Sequence, residues 1–541
     1  MKKYIFICAA CLTLFGFTAA KIQQDKLFEI SKNLEIFIKV YKELNTNFAD
    51  ELDPGILMKT AIDAMLGSLD PYTNFVSESQ VESYRINQDE KYQGVGARVG
   101  MIEGICTILE PYKGGAAMEA GIKAGDQILA IDGTSLSGKD FDEISAIMRG
   151  VPGTEVTITI KKPGKAPESV KLTRGEVNIP NVPYHGMVND QIGYISLTTF
   201  TANASANIIK AYKELKEDHP DMKGIILDLR DNGGGLLHEA IQICNIFLPQ
   251  GEVLVTTKGK IKDRDQSFKT TQNPVDLQIP LAILINKQSA SASEIVSGVI
   301  QDMDRGLIIG QRSYGKGLVQ NTKNVGYNSV LKLTTSKYYI PSGRCIQSVA
   351  YENGQPKDIP DSQRSKFKTK NGRLVLDGGG ITPDVRLEPQ STGELTKVLL
   401  EKHVIFNFVT EYIKNTDSIN SPVKYQFTDY PAFLTYVNAS DFKFETETEK
   451  LLDQLQKSAS KQSSFALDTE ITQIKSKVIA EKKKFWDIYK NEITREIERE
   501  IVTRFYQQSG KIRYNLEKDA EVEEAVTLLN DINRYNSLLK K

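Results

Sequence analysis

The sequence predicts a multidomain α/β protein with helical regions at both ends. A chain of 541 residues is longer than a single hydrophobic core usually supports, so we expect several domains. Between residues 177 and 390, short apolar runs alternate with segments of helical period, which is typical of a mixed α/β core. Residues 89–176 are punctuated by glycine and contain short β-rich runs. Residues 21–88 and 391–541 have helical patterns, and the second of these segments is strongly charged.

Residues 1–20 match a cleaved export signal. Two lysines follow Met1, an apolar stretch extends to Phe17, and Thr18-Ala19-Ala20 supplies small residues for cleavage. The stretch is shorter than the about 20 apolar residues that span a bilayer. Cys11 raises the alternative of a lipoprotein, although the aliphatic residue usual three positions upstream is absent. We expect an exported protein, in a bacterial periplasm, with no integral membrane span after cleavage.

Residues 89–176 contain a series of short predicted elements separated by glycine turns. The most diagnostic part, Gly114–Gly133, predicts a short helix, a Gly-Asp turn, a strand and an Asp-Gly turn, and Val156–Ile160 alternates as a strand. The segment therefore resembles a PDZ domain, in which an extended peptide adds to a sheet edge and loop amides hold its terminal carboxylate. The resemblance implies that this loop contains Gln93, Gly94, Val95 and Gly96. An ordinary glycine loop is the alternative for these positions.

Residues 177–390 contain a serine at a predicted strand-to-helix junction. Leu281–Ile285 is a short apolar run that predicts a buried strand, and apolar residues recur at helical spacing from Ile295 onward. Ser291 lies between them, where backbone N–H groups are unpaired and the helix dipole is positive. The alternative is structural, because Ser291 and Glu294 fit an ordinary capping box.

A glycine-rich segment precedes this serine in the chain. Ile225–Leu229 predicts a strand and Leu236–Leu248 a helix, so the glycines between them lie at a helix start that can bind an anion. The segment is not a nucleotide phosphate loop, because no Gly-Lys-Ser/Thr follows. A tight turn that needs glycine backbone angles is the other interpretation.

Three further stretches indicate a family. Asn286–Glu294, Gln301-Asp302 and Ser313–Gln320 together resemble the carboxyl-terminal processing peptidases, also called tail-specific proteases, over about residues 55–390. The resemblance implies a crotonase/Clp-protease-like ββα core and a serine endopeptidase that cleaves proteins bearing apolar carboxyl-terminal tails. Its implied site residues are the nucleophile Ser291, the base Lys316, the orienting residue Gln320, an oxyanion hole from Ala292 and either Gly234 or Gly235, and the supporting residues Glu294 and Asp302.

The lysine must lose its proton to serve as a base. Free lysine has a pKa of about 10.4, and removal from water lowers that pKa because the charged form loses its hydration. If residues 316–320 are extended, Lys316 and Gln320 project to the same side, which would let Gln320 orient the amine. Taken alone, Lys316 would be a solvated loop residue and Gln320 a polar strand residue.

The composition, and the absence of several known motifs, argue against other classes of protein. With 68 basic and 69 acidic residues, the chain has no broad nucleic-acid footprint. The zinc-protease motif, the Gly-x-Ser-x-Gly elbow and a cysteine metal cluster are absent from the sequence, and we expect no metal or cofactor. Cys106, Cys244 and Cys345 lie in apolar contexts and are predicted core residues.

Two alternatives to the protease remain at this stage. One is a PDZ-based peptide-binding or chaperone module with an inactive core, and the other is a hydrolase of non-peptide acyl bonds. For residues 391–541, the sequence leaves open docking of an adaptor or a second copy, or packing onto the core.

Overall fold

The computed structural model describes residues 26–78, 80–81, 92–139, 141–177, 179–347, 351–352, 355–356, 359–389, 391–460 and 467–540. The predicted export signal lies outside these residues. The chain divides into two compact units, Met1–Glu82 with Gln320–Thr334, and Ser83–Val319 with Thr335–Lys541. Of the helices within the described ranges, none is both long and apolar enough to cross a membrane.

Among the described residues, the N-terminal part of the first unit includes two helices and a short strand. They are α1 (26–47), α2 (Pro54–Gly67) and β1 (Asn74–Val76). Asp53 caps α2, since its side chain accepts the N–H of Ile56, and Pro54 supplies the fixed φ that suits a first helical position. The predicted helical region therefore also contains a strand, because β1 pairs antiparallel with residues 330–332.

Residues 92–177 form a β-rich domain around one apolar core. In chain order its elements are β2 (Tyr92–Gly94), β3 (Ala97–Ile102), β4 (Ile105–Pro111), α3 (Ala116–Glu119), β5 (Gln127–Ile131), β6 (Thr134–Ser135), α4 (Phe141–Met148), β7 (Glu155–Lys161), β8 (Glu168–Thr173) and β9 (Gly175–Val177). The main sheet has the order β3-β4-β5-β7-β8, with β6 beside β5, and β2 pairs with β9. Ile108, Ile144 and Ile158 are fully buried in the core.

The next region is built on a six-stranded sheet. Its elements in chain order are β10 (Tyr184–Met187), β11 (Ile192–Ser196), α5 (Ala204–Asp218), β12 (Gly224–Asp228), α6 (Leu237–Phe247), β13 (Val253–Gly259), β14 (Gln266–Lys269), β15 (Leu281–Ile285), α7 (Ala292–Asp302), β16 (Leu307–Gly310), β17 (Leu318–Gly326), β18 (Ser329–Tyr339), β19 (Tyr351–Glu352), β20 (Gln355–Pro356), β21 (Lys366–Lys368), β22 (Leu374–Leu376) and β23 (Val385–Arg386). The sheet order is β10-β11-β12-β15-β16-β23, and all neighbours are parallel except β10 and β11.

Both faces of this sheet are covered. Alternate residues of a strand point to opposite faces, so Ile225 and Leu227 pack against α5, α6 and α7, whereas Ile226 faces the other way. Strands β11, β12 and β15 are buried along their whole length, which explains why they are continuous apolar runs in the sequence. Parallel strands direct their carboxyl ends to one edge, so the loops that follow β12 and β15 meet there.

The C-terminal region is helical. Its helices are α8 (Glu394–Glu401), α9 (Val404–Tyr412), α10 (Tyr430–Ala439), α11 (Glu447–Ala459), α12 (Asp468–Lys483), α13 (Phe485–Ile488), α14 (Lys490–Leu516), α15 (Ala520–Asn530) and α16 (Ile532–Leu538). Helices α8, α9, α10 and α14 share an apolar core of their own. Helices α15 and α16 instead cover the second face of the six-stranded sheet, where Val522 and Leu528 pack against Ile226.

Candidate active site

Two loops at the carboxyl edge of the sheet are joined by hydrogen bonds. The first follows β12 and contains Asn232, whose carbonyl accepts the Ala290 N–H at 3.0 Å and the Ser293 hydroxyl at 2.8 Å. Asn286 in the second loop accepts the Asp231 N–H at 3.0 Å and donates back to its carboxylate at 2.8 Å. These bonds fix the predicted oxyanion loop against the turn that carries the predicted nucleophile.

Ser291 occupies an unusual backbone conformation at the start of α7. Its φ of 55° and ψ of −111° lie in a region that non-glycine residues rarely adopt. The Glu294 half of the predicted capping box is present, because Glu294 accepts the Ser291 N–H at 2.8 Å, while the Glu294 N–H donates to the Ser291 carbonyl at 2.9 Å. Strain of this kind persists only where surrounding contacts hold it, and it is common at functional sites.

Gly234 lies directly against the Ser291 turn. A Cβ at this position would lie 2.8 Å from the Ser291 Cβ and 2.9 Å from the Ala292 nitrogen, and its φ of 100° favours glycine. The Gly234 N–H donates to the Asn232 side chain at 2.9 Å. Within the described residues, the N–H groups of Gly235 and Ala292 find no acceptor.

Glu294 connects the segments of the predicted nucleophile and base. It is fully buried, and one of its oxygens accepts the N–H groups of Ser291 and Lys316, each at 2.8 Å. The other oxygen accepts the Gly315 N–H at 2.7 Å and the Ser313 hydroxyl at 2.6 Å. Burial raises the pKa of Glu294, and the four hydrogen bonds act in the opposite direction. One carboxylate therefore holds the backbones of residues 291 and 316 together.

Tyr338 holds the same two segments through their carbonyl groups. Its hydroxyl donates to the Lys316 carbonyl and lies 3.2 Å from the Ser291 carbonyl. The Gln347 side chain accepts the Gly317 N–H at 2.8 Å. The sequence predicts no role for Tyr338 or Gln347, because neither the spacing nor the local pattern indicates which distant backbone groups they contact.

Lys316 lies two residues before a strand. Strand β17 begins at Leu318, and Lys316 is half-buried between Gly315, with a φ of 91°, and Gly317. The projection of Lys316 and Gln320 to one side, expected if residues 316–320 are extended, stays a prediction. Gln320 lies in β17, where its side-chain nitrogen is 3.3 Å from the Thr334 hydroxyl.

Asp302 lies at the opposite end of α7 from Ser291. Its carboxylate forms an ion pair of 2.8 Å with Arg344, and both side chains are buried. It also accepts the Ser342 N–H at 2.9 Å. Burial raises the pKa of Asp302, whereas the nearby Arg344 lowers it. Asp302 thus holds the loop after β18, the loop that also carries Gln347.

The predicted carboxylate-binding loop lies at the end of β2 and just after it, at Gln93, Gly94, Val95 and Gly96. The Val95 N–H donates to the Met148 carbonyl at 3.3 Å, and the Val95 carbonyl accepts the Ala117 N–H at 2.8 Å. The loop is therefore packed between the end of α4 and the start of α3. Strand β3, which follows it, is an edge strand of the main sheet.

The three predicted core cysteines are all free thiols. Cys106 and Cys244 are buried, and Cys345 is partly buried. Burial raises the pKa of the Cys106 thiol to about 11.

Models of known families match three segments of the chain. Residues 191–359 match peptidase family S41, residues 107–162 match a PDZ domain, and residues 395–529 match the probable PDZ-protease C-terminal helical domain. A carboxy-terminal-processing protease of Bartonella bacilliformis is 36% identical over 375 residues, which cover 69% of this chain and 84% of that protein. This chain belongs to the carboxy-terminal-processing proteases of peptidase family S41.

Other relatives are similar over a comparable length. A probable CtpA-like serine protease of Staphylococcus aureus strain N315 is 33% identical over 337 residues, covering 61% of this chain and 66% of that protein. A solved photosystem II D1 C-terminal processing protease is 26% identical, with a TM-score of 0.38, over 65% of this chain and 92% of that one. The predicted family and the multidomain α/β class are confirmed, and this carboxy-terminal-processing protease is a serine-type protease with a PDZ domain.

Proposed function

We propose that this protease is exported, binds apolar carboxyl-terminal tails with its PDZ domain and cleaves the bound proteins with a Ser291–Lys316 dyad. The observation that carries the proposal is the buried Glu294 carboxylate, which accepts the backbone N–H groups of both residues. A serine hydroxyl needs a base to attack an amide, and a lysine held beside it can be that base once neutral.

The proposed reaction has two halves. Neutral Lys316 takes the Ser291 hydroxyl proton as Oγ bonds to the peptide carbonyl carbon, and it then gives that proton to the leaving amine as the C–N bond breaks. In the second half, water attacks the acyl-enzyme ester, Lys316 takes a water proton, and Ser291 leaves and recovers its proton. The strained backbone of Ser291 supports this role, because strain of this kind is common at functional sites.

Two backbone amides would hold the negative oxygen of the tetrahedral intermediate. We assign them to Ala292 and Gly235, because the Gly234 N–H already donates to the Asn232 side chain. Each such donor typically lowers the barrier by about 3 kcal/mol. The role of Gly234 is then steric, because a residue without a Cβ lets the backbone approach the Ser291 turn. The orienting role of Gln320 stays a prediction.

The PDZ domain would present the substrate tail. The edge position of β3 supports this, since an extended peptide can add to an open sheet edge. Several assignments remain predictions. They are tail recognition through Gln93, Gly94, Val95 and Gly96, a periplasmic location, and docking of an adaptor or a second copy on residues 391–541. The division of the chain at residues 20, 88, 176 and 390 is also a prediction.

A direct test compares the chain from Lys21 with its Ser291→Ala form. Both are incubated with an unfolded protein that ends in apolar residues and with the same protein ending in charged ones. Cleavage by the wild type alone, and faster for the apolar end, is the expected result. Binding without cleavage by either form would favour the peptide-binding alternative, and cleavage by Ser291→Ala would refute the assigned nucleophile.

A further inference from the structure

One guanidinium links the C-terminal helices to the loop that carries the proposed oxyanion hole. Arg230 is the second residue after β12, and its Nη1 donates to Asp519 at 3.0 Å and to Glu521 at 2.6 Å. Its Nε and Nη2 donate to Asp228 at 3.0 and 2.6 Å. Only 17% of the Arg230 side chain is exposed, so these contacts lie within the protein.

The two C-terminal acids are themselves fixed. Asp519 is the N-cap of α15, since its side chain accepts the N–H groups of Glu521 and Val522 at 3.0 and 3.2 Å. The second oxygen of Glu521 accepts the Gln311 side chain at 3.3 Å. Because α15 packs on the buried face of the sheet, it holds both acids at a set distance from the strand that Arg230 follows.

The charges of this cluster depend on one another. Burial disfavours the charged guanidinium, but the surrounding carboxylates raise the pKa of Arg230 above its ordinary value. Burial raises the pKa of Glu521, and Arg230 lowers it. Loss of the two C-terminal acids would leave a buried cation with Asp228 as its remaining carboxylate contact, and a buried charge with too few partners tends to move toward water.

A displacement of Arg230 would be transmitted along the backbone to the proposed oxyanion loop, which lies within a few residues of it. Asn232 is two positions after Arg230, and its side chain accepts the Gly234 N–H while its carbonyl accepts that of Ala290. Oxyanion donors act only within about 2.7–3.1 Å of the developing charge. A displacement of about 1 Å can cost on the order of 100-fold in rate.

We propose that Asp519 and Glu521 are positioning residues, which act through Arg230 to set the oxyanion loop for catalysis. The C-terminal helical region is then part of the catalytic unit. This inference rests on the proposed function, because it concerns the same site.

The test uses the full chain from Lys21 with Asp519→Asn and Glu521→Ala combined. Asparagine still caps a helix, so the first change removes charge and keeps the start of α15. The control combines Asp531→Asn, another N-cap aspartate, with Glu517→Ala, and both control positions are exposed and outside the Arg230 cluster. The measurements are kcat, KM, the melting temperature and the affinity for a peptide boronate, which forms a tetrahedral adduct with a reactive serine.

We expect kcat and boronate affinity to fall together by about tenfold or more, with KM within about twofold, because only the transition state uses the oxyanion loop. The control should stay within about twofold of wild type. A folded double variant with wild-type kcat, or one that changes KM alone, overturns the inference. If the double variant does not fold, Glu521→Gln alone decides by the same readouts. A wild type that cleaves nothing would refute the proposed function instead.

Discussion

At the scale of single residues, the Glu294 carboxylate accepts four hydrogen bonds, which occupy all of its acceptor sites. In Glu294→Gln, the side-chain NH2 group would face backbone N–H groups that need an acceptor. We expect the unfolding free energy to fall by about 2–4 kcal/mol and kcat to fall by about tenfold or more, since both halves of the dyad would shift. Chemical denaturation and steady-state kinetics measure the two effects.

The matched control for this change is Glu498→Gln. Glu498 is also buried and accepts the Phe427 N–H at 2.8 Å and the Tyr514 hydroxyl, but it lies in the C-terminal helical core. It should lose stability with little change in kcat. Equal loss of kcat in both variants would mean that Glu294 contributes only to folding.

Tyr338 offers a second test at this scale. Replacing Tyr338 with Phe removes the hydroxyl that lies between the carbonyls of Ser291 and Lys316 and leaves at least one of them without its donor. We expect kcat to fall by about tenfold, because a buried unsatisfied group costs about 1–3 kcal/mol and either segment can move to avoid that cost. Tyr339→Phe, the half-exposed neighbour, should stay near wild type in the same assay. Unchanged kcat in Tyr338→Phe would show that Glu294 alone is enough.

The sequence predicts candidates for the nucleophile and the base more readily than the residues that hold their backbones in place. Ser291, Lys316 and Glu294 lie in short motifs, and the resemblance of these motifs to the carboxyl-terminal processing peptidases implies a nucleophile, a base and a supporting residue. Tyr338 has no such signal, since its role depends on a contact between chain segments far apart in sequence. Asn232 lies in the glycine-rich segment that follows Leu229, but only the structure shows that its side chain accepts the Gly234 N–H.

At the scale of elements, the loop after β12 contains three consecutive glycines with different surroundings. A Cβ on Gly234 would lie 2.7 Å from the Ala290 carbonyl oxygen, whereas one on Gly233 would meet nothing within 4 Å. We expect Gly234→Ala to lower kcat/KM by about 100-fold or more, because the Ser291 turn must move. Gly233→Ala is the matched control and should remain near wild type in kcat/KM and melting temperature. Similar losses in both variants would contradict the packing described for Gly234.

The sequence predicts the bounds of strands best where a strand is buried along its whole length. Strand β15 spans Leu281–Ile285 as predicted, and β12 begins one residue earlier than predicted, because a buried parallel strand is an apolar run between polar residues. The short β1 was missed, since its strand character comes from pairing with residues 330–332, which no local pattern reveals. Strand β17 begins at Leu318, two residues after Lys316, so only part of the segment 316–320 is assigned to a strand.

At the scale of the whole chain, the sequence left the C-terminal region with two interpretations. Its amphipathic pattern indicated that apolar faces are buried, but a periodic pattern does not identify the surface that buries them. The structure places α15 and α16 on the second face of the six-stranded sheet. Packing onto the core is therefore realised for these two helices, and docking of an adaptor or a second copy stays a prediction.

This packing predicts that a substitution far from the site in sequence destabilises the protease core. Leu528 is fully buried against the sheet, so Leu528→Ala should lower the unfolding free energy by about 2–5 kcal/mol. Leu451→Ala, at an exposed leucine of α11, should change it by less than about 0.5 kcal/mol. Denaturation followed by the intrinsic fluorescence of the full chain checks both values. A tolerated Leu528→Ala would mean that α15 is dispensable for the sheet.

Covalent labelling with a fluorophosphonate, followed by peptide mapping, tests the proposed Ser291–Lys316 dyad. Such probes modify a serine whose hydroxyl is activated by a base. The account predicts a single label on Ser291 in the wild type, and its loss in folded Lys316→Arg, because a guanidinium does not give up its proton. Lys323→Arg, at an exposed lysine of β17, should label like the wild type. A label on another residue, or equal labelling of Ser291 in Lys316→Arg, would contradict the dyad.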